Sequence, residues 1–411
     1  MITRGVQMRI LIVAMKFFPA SGGSATYAHH LAQGLHRRGH QVRLLAPQYK
    51  RKIIAEPVDY EIVRMPLTSE SWYGIRIIFA TIAIIKHYLK FRPDVIWSST
   101  YAGCRSTAIL SFLPGRWVGT IHGGGILRSG EPGNLFARMA AWFGALFIRR
   151  SDAIVTISNE AEKLIRKAVS ENALHSKLKV IYNGVEFNPS IVKSKEEALA
   201  QWPHWHNRKI VLTVGRLVEA KGHDLVIDAV NKLRHEIPEI LYIIVGEGVT
   251  RKKLEAQVQR LDLENHVFFA GYVEASLLES YYAVADVFTM PGRVTREFVE
   301  GFGLVFVEAG MRGKAVIGTT VGGITEAIRD GYSGLLIAPD NVEKLSESLK
   351  KLLLCSETSS VLGRQGREWT INNFSLDVMA RHNDKLLHDI FWRKKLNEGS
   401  ENVLSSSGIQ F

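Results

Sequence analysis

The sequence predicts an α/β protein made of two doubly wound, parallel-sheet domains in series. Two observations carry that expectation. Short apolar runs alternate with longer helical patterns through the first 185 residues, and the same alternation restarts at residue 208. Strands that read as unbroken apolar runs are buried on both faces, which requires helices above and below a parallel sheet. A polar stretch, 186–207, separates the two series and reads as a linker. Two such domains in tandem are expected to face each other across a cleft, with the carboxyl ends of both sheets toward a shared ligand.

In the first series RILIVAM (9–15) is the opening strand. SATYAHHLAQGLHRRG (24–39) is a helix ending at Gly39, and QVRLLAP (41–47) is the next strand. YEIVRMP, PDVIWSS, RWVGTIH and DAIVTIS follow as strands, with helical stretches at about 73–91, 103–112 and 134–150, and KVIYNGVEF (179–187) closes the half. The second series runs RKIVLTVGR (208–216), a helix from GHDLVIDAVNKLRHE, ILYIIVGEG (240–248), a helix from RKKLEAQVQRL, HVFFAGYV, a helix from LLESYYAVA, and DVFTMP (286–291). AVIGT, EAIRDG and SGLLIAP continue it, 341–353 and 375–393 read as helices, and 394–411 reads as a loose polar tail.

Composition narrows the function. The chain has 411 residues, 46% hydrophobic and 22% charged, which is ordinary for a globular protein. Its two cysteines, Cys104 and Cys355, fall in different halves and fit a reducing cytoplasm better than a disulfide framework. No metal-ligand spacing, D-x-D triplet or G-x-G-x-x-G fingerprint is present, which counts against a metal site and a nicotinamide or flavin enzyme. The net charge of +12 is confined to one half: residues 1–185 hold 25 Lys+Arg against 10 Asp+Glu. That asymmetry suggests a negatively charged partner, and a solvated basic face is the plain alternative. No nucleic-acid reader motif accompanies it. No run reaches the ~20 apolar residues of a membrane span. The N-terminus lacks a cleavage site, so export is not expected.

The residues suited to chemistry cluster at strand ends. Glu300 and Glu308 frame EGFGLVFVE, where Gly301 and Gly303 let backbone amides approach a ligand. Glu308, inside the following helix, suits vicinal hydroxyls such as those of a ribose, and Glu300 suits hydroxyls of a second sugar. Arg216 after Gly215, and Lys221 before Gly222, place two cations and a helix start at one strand end, a seat for a diphosphate. Gly22 and Gly23 lie between the first strand and helix, where an anion can approach or where the chain merely turns. His122 ends a strand before three glycines; it points into the cleft or is a structural histidine bonded to backbone. GGITE (322–326) adds a glycine pair before a helix. His29, His30, His204 and His206 lack metal-site companions and read as surface residues.

This ordered set resembles the retaining GT-B glycosyltransferases of glycosyltransferase family 4, from Met8 to about Trp392. The matching segments include GGSATYAHHLAQGLHRRGH, TIHGGG, VIYNGV, VGRLVEAKG, IIVGEG, FFAGYV, EFVEGFGLVFVEAG and VGGITEAIRDGYSGLL. The resemblance implies a donor, a UDP-sugar or GDP-mannose, bound by residues 208–374, and an acceptor bound by residues 1–185. The helix 375–393 is expected to cross back to the first domain. It implies that Arg216 and Lys221 hold the diphosphate, Glu308 the ribose, and Glu300 the transferred sugar with the Phe302, Gly303 and Leu304 backbone. The base would lie against Gly271, Tyr272 and Val273. The Gly22-Gly23 loop would close over the leaving group, and His122 would touch the sugar near its reacting carbon. No cofactor and no metal are implied, so Arg216, Lys221 and helix N-termini must stabilise the departing diphosphate while the sugar gains oxocarbenium character. No carboxylate is placed as a nucleophile, so front-face attack with retention is expected.

The basic first half then suggests an anionic acceptor, a saccharide or lipid-diphosphate-linked saccharide in polysaccharide assembly. Arg138-MAAWFGALFI-Arg149-Arg150 has the pattern of an interfacial helix and points to loose attachment to an anionic inner membrane surface; a core-packing helix with solvated ends is the alternative. Two rival functions are a sugar-nucleotide epimerase of the same architecture and a non-catalytic sugar-nucleotide-binding protein.

Overall fold

The computed structural model describes the backbone of residues 6–19, 22–49, 58–65, 73–122, 135–174, 176–296 and 298–406. The predicted glycine run Gly123–Gly125 lies outside them. The chain divides into two compact units, one of residues 1–184 with 376–411 and one of residues 185–375.

The first unit is built on a seven-stranded sheet: β1 (Arg9–Val13), β2 (Gln41–Pro47), β3 (Glu61–Met65), β4 (Val95–Ser98), β5 (Arg116–Ile121), β6 (Ala153–Thr156) and β7 (Leu178–Val180). All pairs are parallel, in the order β3-β2-β1-β4-β5-β6-β7. Strand order switches sense at β1, whose Ile10 pairs with Val42 of β2 on one side and Val95 of β4 on the other. Ile10, Leu11, Ile12 and Val13 have no exposed surface, as the unbroken apolar run requires. Helices Gly23–Arg37, Tyr73–Phe91, Tyr101–Thr107, Leu135–Arg150 and Asn159–Ala168 form the crossovers and flanks.

The last helix, Leu376–Ser406, belongs to this unit. It packs on helix Gly23–Arg37, close enough that a Cβ on Gly34 would lie 2.9 Å from Ala380 Cβ. Asp384 fastens it by accepting from Arg38 Nε at 3.0 Å and from His40 Nε2–H at 2.9 Å. Met8 N–H donates to His40 Nδ1, so the ring bridges strand and helix in its neutral form, and burial pushes its pKa down. The helix continues past 394, where the sequence suggests a loose tail; NEGSENVLSS contains no proline to stop it.

The second unit repeats the plan with β8 (Lys209–Val214), β9 (Ile240–Val245), β10 (Val267–Gly271), β11 (Val287–Thr289), β12 (Ala315–Thr319) and β13 (Leu335–Ile337). The order is β10-β9-β8-β11-β12-β13, again all parallel, with the switch between β8 and β11. Both units therefore have the Rossmann-like topology expected of the GT-B class.

Three expectations are corrected. The stretch 186–207 is not a free linker: Lys195 pairs with Asp286, the Trp202 ring lies tilted 4.7 Å from that of Tyr281, and Trp205 meets Phe268 at 5.2 Å. Its polar residues hide two tryptophans that need a partner surface. Residues Ser356–Phe374 form a helix the sequence reading left out, because Gly363 and Gly366 look like breakers. They are there for packing: a Cβ on Gly363 would meet Gly313 O at 2.1 Å, and one on Gly366 would meet Ser333 O at 2.9 Å. His30 is not a surface residue; it is buried with Nδ1 2.7 Å from the Gly184 carbonyl, and His29 bonds Tyr60 Oη at 2.8 Å.

Candidate active site

In the second unit, the carboxyl ends of β8, β9, β11 and β12 gather the predicted groups. Gly215 and Arg216 follow β8, and Gly215 N–H donates to Val245 O at 2.9 Å. The short turn Glu219–Lys221 ends at Gly222, whose φ of 67° is left-handed. A Cβ there would lie 2.1 Å from Pro291 O, so only glycine lets helix His223–Leu233 start against the loop after β11. His223 is buried beneath this turn and donates Nε2–H to Arg216 O at 3.2 Å. Burial lowers its pKa to about 4, so it is neutral and braces the Arg216 backbone.

Lys221 Nζ contacts Glu300 Oε2, and each side chain is only 13% exposed. The Phe298 ring lies beneath both cations, 5.6 Å from Lys221 Nζ and 6.0 Å from the Arg216 guanidinium carbon. Arg216 itself is exposed. The Glu300 loop rests on the predicted glycine pair. Gly323 N–H donates to Glu300 O at 2.9 Å, and Cβ atoms on Gly322 and Gly323 would meet Glu300 O at 2.3 Å and Gly301 O at 2.2 Å. These glycines are a floor under the acidic loop rather than a ligand contact.

Gly303, at φ 85°, turns this loop into helix Leu304–Met311. The amides of Leu304 and Val305 open the helix without a protein acceptor among the described residues. The Phe302 side chain faces inward onto Phe374, 5.2 Å away, so only its backbone is available to a ligand. Glu308 lies one turn further on. Tyr282 Oη donates to its Oε2 at 2.8 Å, and burial raises the carboxyl pKa. Arg312 steadies the same cluster by donating to Glu308 O and pairing with Glu279. Tyr272 is exposed just beyond β10, next to half-buried Val273.

In the first unit Gly22, at φ 129°, precedes helix Gly23–Arg37, and space is open around the Gly23 α-carbon. The Lys16 ammonium comes within 3.0 Å of where a Gly22 Cβ would be. His122 directly follows β5, with Nε2–H donating to Ser99 O at 3.0 Å and its ring edge-on to Tyr27. The ring is thus bonded to backbone, and burial lowers its pKa. That bond fixes the tautomer and leaves Nδ1 as the acceptor.

Residues 194–369 match the sequence profile of glycosyl transferases group 1, and residues 21–188 match that of glycosyltransferase family 4. The chain belongs to the family 4 glycosyltransferases. This glycosyltransferase is 26% identical over 390 residues to the GDP-mannose-dependent alpha-(1-6)-phosphatidylinositol monomannoside mannosyltransferase of Mycobacterium tuberculosis, covering 90% of this chain and 96% of that one. It is 25% identical over 414 residues to the glycogen synthase of the same organism, covering 91% and 92%. Among solved structures, sucrose-phosphate synthase from Thermosynechococcus elongatus superposes with a TM-score of 0.78 at 21% identity, over 94% of this chain and all of the other. Anabaena HepE in complex with UDP-glucose gives 0.72 at 21% identity, over 93% and 100%.

Within the second unit of the glycosyltransferase, Lys221 and Glu300 touch, and Phe298 lies within cation–π range of Lys221 and Arg216. Glu308, Gly303 and Leu304 follow on the adjoining helix. Phe298, Tyr282, Arg312 and His223 are the additions. Phe298 was visible as an aromatic two residues before Glu300; the other three act through tertiary contacts that no local pattern announces. Among the described residues no group of three His, Cys, Asp or Glu assembles as a metal site would.

Proposed function

We propose that the enzyme transfers a hexosyl group, with retention and without a metal, from a nucleotide-diphospho-sugar to a saccharide or lipid-linked saccharide. The observation that carries the donor half is the Lys221–Glu300 contact with Arg216 beside it on the Phe298 ring. Before binding, the cation and carboxylate neutralise each other. A donor inserts its diphosphate against Lys221 and Arg216, and its sugar hydroxyls against Glu300, replacing that contact with two. Glu308, held by Tyr282, takes the ribose through Oε1, which makes no hydrogen bond among the described residues. As the glycosyl–phosphate bond breaks, charge grows on the phosphate that Lys221 and Arg216 already face, and the acceptor hydroxyl attacks from that same side and gives it the proton. The donor is a UDP-sugar or GDP-mannose. GDP-mannose is the first choice, because the mycobacterial relatives are named for it. Thermal unfolding with each nucleotide sugar tests this. A true donor at a hundred times its Kd adds about 2.7 kcal/mol, or roughly 5–10 °C. Absence of any shift across GDP-mannose and the UDP-hexoses defeats the reading, and release of an epimerised nucleotide sugar instead of product favours the epimerase.

For the acceptor we propose a lipid-linked saccharide at an anionic membrane surface. No helix among the described residues is long and apolar enough to cross a membrane. Helix Leu135–Arg150 buries Phe147 and Ile148 in the core, but Trp142 is 60% exposed and Met139 47%. Phe112, 61% exposed, carries the Arg150 guanidinium 4.5 Å above its ring. Bulky apolar groups beside arginines suit the headgroup boundary. Phosphatidylglycerol vesicles are expected to sediment the enzyme at low salt and release Trp142→Glu. Failure of the wild type to sediment even at low salt removes this proposal.

A further inference from the structure

A cavity of about 580 Å³ opens at the amino-terminal edge of the first unit's sheet, the opposite edge from Gly22 and His122. Arg9, Arg92 and Arg116 line it, with Tyr88, Leu89 and Phe391 as apolar walls. The charges do not cancel as a simple count suggests. Asp94 accepts from Arg9 N–H at 2.7 Å as well as from the Arg9 guanidinium, and Asp152 accepts from Trp117 N–H at 2.8 Å as well as pairing with Arg116 at 3.3 Å. Both carboxylates thus serve strand-start amides and orient the two guanidiniums. Nη1 of Arg9 and Nε and Nη2 of Arg116 have no protein acceptor among the described residues. Arg116 is also steadied 5.6 Å from the Phe391 ring. Arg92 is exposed, makes no ion pair among the described residues, and sits at φ 48°, a backbone region uncommon for a residue with a side chain. The transfer chemistry uses none of these groups, yet the cationic excess of the chain lies in this unit.

We propose that this cavity is a second binding site, for a phosphomonoester on a ring-shaped polyol. The arginine N–H groups hold the phosphate, and the ring lies against Tyr88, Leu89 and Phe391. The ester is either free, as in a sugar phosphate, or presented by a lipid headgroup.

Full-length enzyme is titrated calorimetrically with glucose 6-phosphate, and with glucose as control, and is sedimented with phosphatidylcholine vesicles containing phosphatidylinositol 4-phosphate. The variants are Arg92→Gly, whose φ suits glycine and which therefore folds, and Lys221→Ala, which disables the donor site. The expected result is binding of the phosphate ester but not of glucose, unchanged in Lys221→Ala and weakened about tenfold or more in Arg92→Gly, with transfer by Arg92→Gly intact. An Arg92-dependent response to free ester identifies a soluble ligand; one confined to the vesicles identifies a lipid. Binding to neither, binding indifferent to Arg92, or binding lost in Lys221→Ala overturns the proposal. The binding outcomes do not depend on the transferase reading, so its failure and the failure of this site are distinguishable.

Discussion

Lys221→Ala is expected to lower kcat by about 10²–10³-fold, with a smaller rise in the donor KM. Two effects act in the same direction. The cation that faces the developing phosphate charge is lost. Glu300, 13% exposed and in contact with Lys221 Nζ, loses its counter-charge and is free to turn away from the sugar position. Because the two side chains act as one unit, Lys221→Ala combined with Glu300→Ala should be little worse than the poorer single variant. Initial rates of nucleotide release with acceptor present measure this. Near wild-type turnover by Lys221→Ala, or fully multiplicative losses in the double variant, would remove the pair from the mechanism.

The second large effect is on stability in acid. His223 is 1% exposed and its folded pKa is about 4, below its ordinary 6.5. Between those values the unfolded chain holds a proton that the folded chain does not, so stability is lost as pH falls from 6.5 toward 4. The full loss is about 3 kcal/mol, and about 2 kcal/mol has gone by pH 5. His40 and His122 are shifted in the same direction by burial and add to the loss in the first unit. Glu308, whose pKa is raised, works the other way: protonation relieves its burial. Urea denaturation at pH 7.5 and pH 5 tests the attribution. In His223→Gln, which keeps a donor for Arg216 O, the acid-induced loss in the second unit should shrink by about 2 kcal/mol. An unchanged pH dependence would show that His223 is not its source.

What the sequence revealed, and what it hid, divides along a physical line. Buried parallel strands must be apolar on both faces, so runs such as RILIVAM and ILYIIVGEG announce themselves. Glycines are ambiguous, because a breaker and a close approach look alike. Gly363 and Gly366 are close approaches, and the Gly322-Gly323 floor could be placed only once the Glu300 loop lay above it. Charged residues at strand ends, Arg216, Lys221 and Glu300, were legible because the switch point of a doubly wound sheet tells where a ligand binds. Tyr282, Arg312 and His223 were not legible, since Tyr282 reaches Glu308, Arg312 pairs with Glu279 and His223 bonds Tyr242, each partner distant in sequence. His30 misled because a polar residue satisfied by the distant Gly184 carbonyl looks, in one dimension, like a solvent-facing one.

The return of helix Leu376–Ser406 to the first unit makes the second unit an insert within the first, and the insert's ends meet: Val185 N–H bonds Phe374 O at 2.9 Å, and Val185 bridges Ser375. Gene truncation should therefore be asymmetric. A stop codon after Gly184 strips the first half of the helix that covers Gly34 and binds His40, whereas the cassette 185–375 can be excised whole and its neighbours rejoined by a short tether.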